Sequence, residues 1–395
     1  MADLMDYLAW RGDLTMEQSA FNEVDGLALS MIAYVDFAGV VPTEADGGAI
    51  SLRQAVKAYF SRHASQKEPS STAESKAKSK PDVKILQLGV LIPSEIHKLL
   101  LKMAAVPRFQ NMMVSRHACE LQETGEEVMQ FSALTFRWSG KTDGVFVAFR
   151  GTDDTLAGCR EDLNLSFMDE IPSQRRATVY LTGVDQRKGF SLFNLNRKAD
   201  IYVGGHSKGG NLAVWSAVHT TDAIRKQIRH VYNYDGPGFS AQLLQSTPYR
   251  ELDGRITTLV PQDSLVGLLL ENDGKYQILK STQKGLYQHN GLGWMVEGTT
   301  FVRTKELSKG GIKTDTVTRS RIASMTAEER RTLTKLIFEV VESTGARTLS
   351  DLSEAKLKNA ATMLKTINEY DKATRSLMIE LLLKLFVSRK ALKKD

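Results

Sequence analysis

Cysteine is scarce in this sequence: Cys119 and Cys159 are the only two among 395 residues. Two cysteines cannot build a disulfide framework, and their scarcity indicates a reducing compartment. The seven histidines are scattered along the chain, and no HxxxH or CxxC pair is present to form a zinc site. We therefore expect a protein without structural disulfides and without a metal ion.

Long apolar runs are missing as well. No stretch approaches the roughly 20 apolar residues that a membrane-spanning helix needs. The N-terminus, MADLMDYLAW, carries Asp3 and Asp6 where a signal peptide would need positive charge. The Walker spacing GxxxxGKS or GxxxxGKT is also absent, which argues against a nucleotide site. We expect a cytoplasmic protein with no transmembrane segment and no cofactor.

Neither sign of charge dominates the sequence. It holds 52 basic and 46 acidic residues, a formal net charge of +6, and the two signs are interleaved. No basic stripe with interleaved aromatic residues is present, so a mixed solvated surface is favoured over a nucleic-acid partner. The densest basic cluster, SRKALKKD at 388–395, is compatible with peripheral contact at a membrane surface or with keeping a helix end soluble.

The composition is that of a globular protein, with 42% hydrophobic and 25% charged residues, so one or two domains with a large core are expected. Residues 62–82 are rich in Ser, Lys and Ala and lack large apolar side chains, which predicts a flexible linker or loop. This segment separates an N-terminal helical part at 1–61 from a core at 83–310. Helical periodicity then predicts a small C-terminal helical region at 311–395.

Within the core, strand patterns precede an alternation of strands and helices. Apolar segments at 112–121, 128–138 and 143–151 are separated by the turn sequences ETGEE and SGKT, which predicts antiparallel pairing. Three later strands alternate with helical segments: ADIYVGG, HVYNYDG and RITTLVP. This alternation predicts an α/β fold with a largely parallel central sheet flanked by helices on both faces.

The segment IYVGGHSKGGNLA, residues 201–213, places Ser207 between Gly205 and Gly209 at a change from strand to helix. A GxSxG pattern is weak by itself, but the strand before it and the helix after it supply the expected context. A serine on so sharp a turn is lifted out of the surrounding packing, and small neighbours let a substrate carbonyl approach. Ser207 is therefore predicted to be a catalytic nucleophile.

A serine nucleophile requires a histidine that accepts its proton, and three histidines follow Ser207 in the chain. His219 lies within the helix that follows the serine, and His230 begins a strand, so both are expected to point away from it. His289 lies in the glycine-rich segment GLYQHNGLGW after a predicted strand. We therefore predict His289 as the base.

The histidine needs a carboxylate, and the chain order in this class of site is serine, acid, histidine. Asp263 directly follows the strand RITTLVP and fits that order. Asp235, which ends the preceding strand, is the rival, and Asp273, in an NDG turn, is the weakest candidate. We favour Asp263.

Acyl transfer also needs hydrogen-bond donors for an oxyanion. The backbone N–H of Lys208, directly after the nucleophile, is predicted to supply one of them. The apolar strand VFVAFRG stops at Gly151 and exposes Thr152, which we predict as the second donor. An ordinary loop threonine is the alternative interpretation of Thr152.

The segments FRGT at 149–152, GHSKGG at 205–210 and PQD at 261–263, with the late His289, together resemble the class 3 (fungal-type) lipases of the α/β-hydrolase superfamily. Within that group the chain is most similar to a bacterial lipase-like family of unknown function. The similarity to that family includes three further segments and a helical C-terminus: DYLAWRGDLTMEQSAFNEVD, GTDDTLAGCREDLNLSF and YNYDGPGF.

The resemblance implies an α/β-hydrolase fold and a serine hydrolase with Ser207 as nucleophile, Asp263 and His289 as its relay, and Thr152 with Lys208 as oxyanion donors. In these lipases an amphipathic lid follows the oxyanion residue, which corresponds here to 153–171. This segment is acidic, so efficient attack on anionic bilayers is not expected. The Lys208 side chain stands where lipases commonly have an apolar residue, and we expect it to cap or solvate the helix start without a catalytic role.

Three functional classes follow from these residues. The first is a hydrolase of carboxylic esters, acting on acylglycerol, lysophospholipid or a smaller acyl ester. The second is a thioesterase or amidase, because the triad alone does not select the leaving group. The third is a catalytically silent hydrolase-fold module that binds an acyl ligand or a partner. The complete set of serine, aspartate and histidine argues against the silent module.

Overall fold

A nine-stranded sheet is the centre of the fold. The computed structural model describes residues 2–65, 93–125, 127–139, 143–184, 199–264, 266–267, 270, 274–308 and 324–386. Their strands are β1 Ile50–Ser51, β2 Met113–Gln122, β3 Met129–Trp138, β4 Gly144–Phe149, β5 Asp200–His206, β6 Ile228–Tyr234, β7 Ile256–Pro261, β8 Gln277–Leu279, β9 Val296–Glu297, β10 Thr300–Phe301 and β11 Arg303–Thr304. The sheet runs in the order β1-β2-β3-β4-β5-β6-β7-β8-β11, while β9 and β10 form a separate pair.

Helices cover the sheet. In the same ranges they are α1 Leu4–Arg11, α2 Glu23–Ile32, α3 Leu52–Ser65, α4 Ile96–Ala105, α5 Pro107–Gln110, α6 Leu156–Asn164, α7 Pro172–Thr182, α8 Lys208–His219, α9 Asp222–Arg225, α10 Ala241–Gln245, α11 Thr247–Glu251, α12 Ala327–Glu342, α13 Leu349–Glu354, α14 Lys356–Glu369 and α15 Lys372–Phe386. None of these helices is both long and apolar enough to cross a bilayer.

The pairing of neighbouring strands changes from antiparallel to parallel at β4. The strands β1 to β4 pair antiparallel, as the turn sequences predict. From β4 through β8 every pairing is parallel, and β11 closes the edge antiparallel to β8. This mixed sheet, with five adjacent parallel strands and helices on both faces, is the α/β-hydrolase fold, so the prediction of the fold class is confirmed.

The alternation of side chains along the central strands divides the core into two layers. Along β4, Phe146 and Ala148 pack with α2 and α4 on one face, whereas Val145, Val147 and Phe149 pack with α7 and α8 on the other. Successive side chains of a strand point to opposite faces, so an uninterrupted apolar strand is buried on both sides. The ends of these strands are thereby fixed between two layers of helices.

A buried ion pair fixes the N-terminal helices to the core. Asp25 of α2 and Arg108 of α5 are both fully buried, and Arg108 Nε donates to Asp25 Oδ1 over 2.7 Å. The Tyr7 hydroxyl donates to the same oxygen over 2.8 Å. A carboxylate in the interior is stable only when it is paired and hydrogen-bonded, as Asp25 is here. The segment at 6–25 that supports the family resemblance therefore has a structural role.

The predicted domain limits differ locally from the structure. Helix α3 continues to Ser65, so the first four residues of the predicted linker, 62–65, are helical, and 66–82 lie outside the described residues. Residues 388–395, the basic cluster, also lie outside them. The C-terminal region packs against the core, because Leu156 N donates to Arg347 O and Leu349 N donates to Asp154 O, each over 2.9 Å.

Candidate active site

Ser207 stands at the turn between β5 and α8. Its backbone has φ 57° and ψ −133°, a strained conformation for a residue with a side chain. Gly205 and Gly209 permit this turn, since a Cβ on Gly205 would collide with the Gly209 backbone and one on Gly209 with the Phe149 carbonyl. This strand–helix turn has the geometry of a nucleophile elbow, a turn that in hydrolases holds a serine hydroxyl above the carboxyl end of a sheet.

Neighbouring strand ends place polar residues on both sides of the serine. Gly151 and Thr152 follow β4, and a Cβ built on Gly151 would lie 3.0 Å from the Cβ of Ser207. Asp235 follows β6, whose Tyr234 carbonyl accepts the N–H of Ser207 over 2.9 Å. Because β4, β5 and β6 are parallel neighbours, their carboxyl ends meet at one edge. The topology thus brings the predicted donor residue and a carboxylate to the serine.

His289 pairs with Asp235. Its Nδ1 lies 2.6 Å from Asp235 Oδ2, and the Asp235 side chain is fully buried. The other oxygen of this carboxylate accepts from the Ser264 hydroxyl and, over 3.2 Å, from the N–H of Gly267. Asp235 has φ 55°, which aspartate tolerates better than most residues. A buried carboxylate with these donors can hold an imidazole in one orientation and compensate its charge.

Asp263, the acid favoured from the sequence, does not occupy this position. Its Oδ2 accepts from Gln288 Nε2 over 2.8 Å and from Gly285 N over 3.1 Å, and its Oδ1 accepts from the Ser308 hydroxyl. Its N–H donates to Gln288 Oε1 over 3.0 Å. Asp263 therefore anchors the short 3-10 helix Gly285–His289 and does not contact the imidazole. The correction is that the rival, Asp235, is the carboxylate beside His289.

The His289 ring borders the elbow. Its centroid lies 4.6 Å from that of His206, the residue before Ser207. Both Ser207 and His289 are partly exposed. Among the described residues the Ser207 hydroxyl has no hydrogen-bond partner, and in many enzymes such a bond forms fully only when substrate is bound. Ser207 lies at the same edge of the sheet as the hydrogen-bonded pair of His289 and Asp235.

The predicted oxyanion donors lie on the other side of Ser207. Thr152 is buried, and its hydroxyl donates to Asp162 Oδ2 over 2.6 Å, which fixes its side chain. Burial raises the pKa of Asp162 to about 6, although the Lys208 ammonium opposes the rise. Lys208 is the first residue of α8, so its backbone N–H has no acceptor within the helix. Thr152 therefore lies just beyond the end of β4, and Lys208 directly follows the serine.

The Lys208 side chain is not solvated, contrary to expectation. It is fully buried, and its Nζ donates to Gln130 O, Gln130 Oε1 and Glu161 Oε2 over 2.8–2.9 Å. Glu161, also fully buried, accepts in addition from the N–H groups of Gln130 and Ser173. All three ammonium protons and the carboxylate therefore have partners, which is the condition for a stable buried ion pair. The pair fixes α6 to the sheet.

Most acidic side chains of the segment at 153–171 form ion pairs or hydrogen bonds within the fold. Asp153 pairs with Arg150 over 2.8 Å, and Asp154 Oδ2 accepts from Ser350 N at the start of α13. Glu161 and Asp162 have the partners described above. These four carboxylates therefore anchor the segment to the rest of the fold.

Tyr34 and His206 were not anticipated from the sequence. Nε2 of His206 donates to the His289 carbonyl over 2.7 Å, and its Nδ1 accepts from the Tyr34 hydroxyl over 3.0 Å. Gly151 packs against that same hydroxyl, since a Cβ on Gly151 would collide with it. Burial, helped by the nearby His289, lowers the pKa of His206 to about 3, so the ring is neutral. Tyr34 thereby connects the histidine loop to the strand end that carries Thr152.

Two sequence signals make Asp235 and His206 candidates without selecting them. The tripeptide Asp-Gly-Pro at 235–237 is a turn sequence directly at the end of β6, the strand beside the one that leads to Ser207. A histidine directly before Ser207 lies at the end of β5, where its ring reaches the same sheet edge. Within the described ranges, no group of three or more His, Cys, Asp or Glu side chains is arranged to hold a metal ion.

Comparisons with known proteins give one family. The sequence model of a family described as Mbeg1-like matches residues 103–339, more than half of the chain. No curated protein matches the sequence. A solved structure titled "Crystal structure of M37 lipase" is similar at 16% identity and a TM-score of 0.28, over 45% of this chain and 63% of that chain. The chain therefore aligns with less than two thirds of that lipase.

Proposed function

The chain belongs to the Mbeg1-like family, and we propose that it is a lipase-like serine hydrolase that cleaves carboxylic esters through an acyl-enzyme. The observation that carries this proposal is the strained Ser207 at the strand–helix turn, with the buried Asp235 paired to His289 at the next strand end. A strained backbone and a buried, fully hydrogen-bonded carboxylate both cost stability, and catalysis gives them a common reason.

The reaction uses water as its second substrate. As Ser207 Oγ forms a bond to the ester carbonyl carbon, His289 accepts the hydroxyl proton and Asp235 compensates the imidazolium. The tetrahedral intermediate collapses, the bond to the alcohol oxygen breaks, and the imidazolium gives its proton to the leaving alcohol. Water then attacks the acyl-enzyme, His289 accepts its proton, and Ser207 regains a proton as the carboxylic acid leaves.

The negative charge of the intermediate needs fixed donors. The backbone N–H groups of Thr152 and Lys208 are proposed to supply them, since one follows β4 and the other begins α8 beside the serine. The hydrogen bond from the Thr152 hydroxyl to Asp162 keeps the threonine in one rotamer. Removing a single oxyanion donor typically lowers kcat by about 100- to 1,000-fold.

The test compares the wild-type chain with Ser207→Ala on p-nitrophenyl esters, together with intact-mass detection of a fluorophosphonate adduct. We expect turnover and adduct in the wild type and neither in Ser207→Ala. Ser216→Ala is the matched control, because Ser216 lies in α8, the helix that follows Ser207, and its hydroxyl donates to Ala213 O. A folded wild type that neither turns over nor labels would favour the silent binding module.

The same assay with other substrates shows which leaving group the chain prefers. Thioester and amide analogues of the best ester compare the three leaving groups at constant acyl chain. The ester is expected to be cleaved fastest. A thioester or amide preferred by tenfold or more would assign the alternative activity to the same residues.

A further inference from the structure

A small apolar cavity lies between the core and the C-terminal region. Its volume is about 150 Å³. One side is formed by the end of α6 and the segment after Asp235. The other side is formed by α12 and by Met325, which lies just before that helix. The apolar side chains that define it are Leu165, Pro237, Leu270, Met325, Leu333 and Ile337.

Two of its walls border the proposed catalytic residues. Asp162 lines the cavity and accepts a hydrogen bond from the Thr152 hydroxyl. Pro237 also lines it and follows Gly236, which packs so tightly on the elbow that a Cβ there would collide with the Ser207 carbonyl. One residue therefore lies between each of these walls and the serine turn, Thr152 on one side and Gly236 on the other.

Helix α12 closes the cavity on the side away from the sheet. Leu333 and Ile337 are one helical turn apart, so both project from one face of α12 toward α6. The position of α12 is fixed by contacts with α6, among them the ion pair between Arg160 and Glu342 over 3.3 Å. The opposite face of α12 carries the exposed Lys335. The cavity wall is thus contributed by a helix outside the sheet domain.

We propose that this cavity is the acyl pocket and that α12 sets the acyl chain length. The inference rests on the proposed ester hydrolysis at Ser207. An apolar cavity of about 150 Å³ is large enough to hold benzene, so it accepts a chain of about six carbon atoms. The substrate class is an ester of a short to medium linear carboxylic acid, with its carbonyl at Ser207 and its chain directed along Pro237 toward Leu333 and Ile337.

The experiment measures kcat/KM for p-nitrophenyl acetate, butyrate, hexanoate, octanoate and laurate with the full chain. The wild type is expected to prefer butyrate to octanoate. Ile337→Trp fills the cavity, so it is expected to lose about 10-fold or more on hexanoate and octanoate while acetate stays within about twofold. Leu333→Ala enlarges the cavity and is expected to move the optimum toward laurate.

The controls separate the two proposals. Lys335→Trp adds the same bulk on the exposed face of α12 and is expected to keep the wild-type profile. Acetate turnover reports that each variant is folded and that the serine works. If wild type turns over esters but both cavity variants retain its chain-length profile, the acyl-pocket assignment is wrong. If wild type neither hydrolyses an ester nor labels at Ser207, the proposed function itself fails.

Discussion

The Nδ1 atom of His289 lies 2.6 Å from Oδ2 of Asp235, a carboxylate that is completely buried at the end of β6. Asp263, one strand further along the sheet, contacts the same loop only through Gln288 and Gly285. Asp235 therefore holds the His289 imidazole, whereas Asp263 holds the 3-10 helix Gly285–His289 that carries it. Their roles can be separated by substitution.

Asp235→Asn is expected to lower kcat about 10,000-fold, because an amide cannot compensate the imidazolium and holds the wrong tautomer. Asp263→Asn is expected to lower it by no more than about 10-fold, because the loop keeps part of its hydrogen bonding and the imidazole keeps its carboxylate. Ester turnover with both purified variants measures this difference. A larger loss in Asp263→Asn than in Asp235→Asn would reverse the assignment of the acid.

Tyr34→Phe removes the hydroxyl that donates to His206 Nδ1 and packs against Gly151. We expect kcat to fall about 10- to 100-fold with little change in KM, because the histidine loop and the oxyanion strand end lose their common anchor. Tyr180→Phe is the matched control, since its buried hydroxyl bonds Thr135 and the Arg116 carbonyl on the other core layer. Equal losses of kcat in the two variants would indicate a general effect on stability.

The buried Lys208–Glu161 pair is expected to be strongly coupled. Lys208→Met leaves an unpaired carboxylate in the interior, and Glu161→Gln leaves an unpaired ammonium, so each should lower the free energy of unfolding by about 3–5 kcal/mol. The double variant should cost less than the sum of the single variants.

Urea unfolding followed by tryptophan fluorescence measures this coupling. Lys365→Met is the control, because the Lys365 side chain is 80% exposed and its pairing with Glu369 is a surface contact. It should unfold like the wild type. Strictly additive losses at Lys208 and Glu161 would mean that the pair contributes no mutual stabilisation.

The raised pKa of Asp162 predicts that the free energy of unfolding depends on pH in a defined window. Burial raises its pKa in the folded state from 3.8 to about 6. Between these values the folded chain holds a proton that the unfolded chain has lost, so the free energy of unfolding falls as the pH rises through this window. Above this pH window the full cost of burying the ionised Asp162 carboxylate lowers the free energy of unfolding. Below the window the carboxyl group is protonated in both states, so that cost is absent.

Asp162→Asn cannot ionise, yet its amide oxygen can still accept from the Thr152 hydroxyl. The variant is therefore expected to exceed the wild type in free energy of unfolding by about 1–3 kcal/mol near pH 7.5, with no difference below about pH 4. Urea unfolding across this pH range tests the expectation. A constant difference at all pH values would show that the effect is one of packing.

Much of the architecture could be read from short-range patterns. The strand segments at 112–121, 128–138 and 143–151, the turns between them, and the glycines around Ser207 depend on periodicity and backbone freedom within a few residues. Such signals are local, so they predict elements and their directions. The antiparallel start of the sheet and the parallel core were both predictable in this way.

The identity of the carboxylate was not predictable by the same means. Asp235 and Asp263 each end a parallel strand and precede His289 in the chain, so order and placement fit both. Which of them meets the imidazole depends on the path of the segment at 274–308, set by contacts such as that of Trp294 Nε1 with Gln288 O over 2.8 Å. The sequence supplied the alternatives, and long-range packing selected between them.

The sequence by itself determined the α/β alternation and the strained turn at Ser207, because these follow from local backbone preferences and apolar periodicity. Only the tertiary structure decided that Asp235 holds His289, that Lys208 is buried against Glu161, and that α12 closes a cavity beside α6. Each of these depends on residues far apart in the chain. Their contacts exist only after the sheet and its helices have assembled, so no local pattern encodes them.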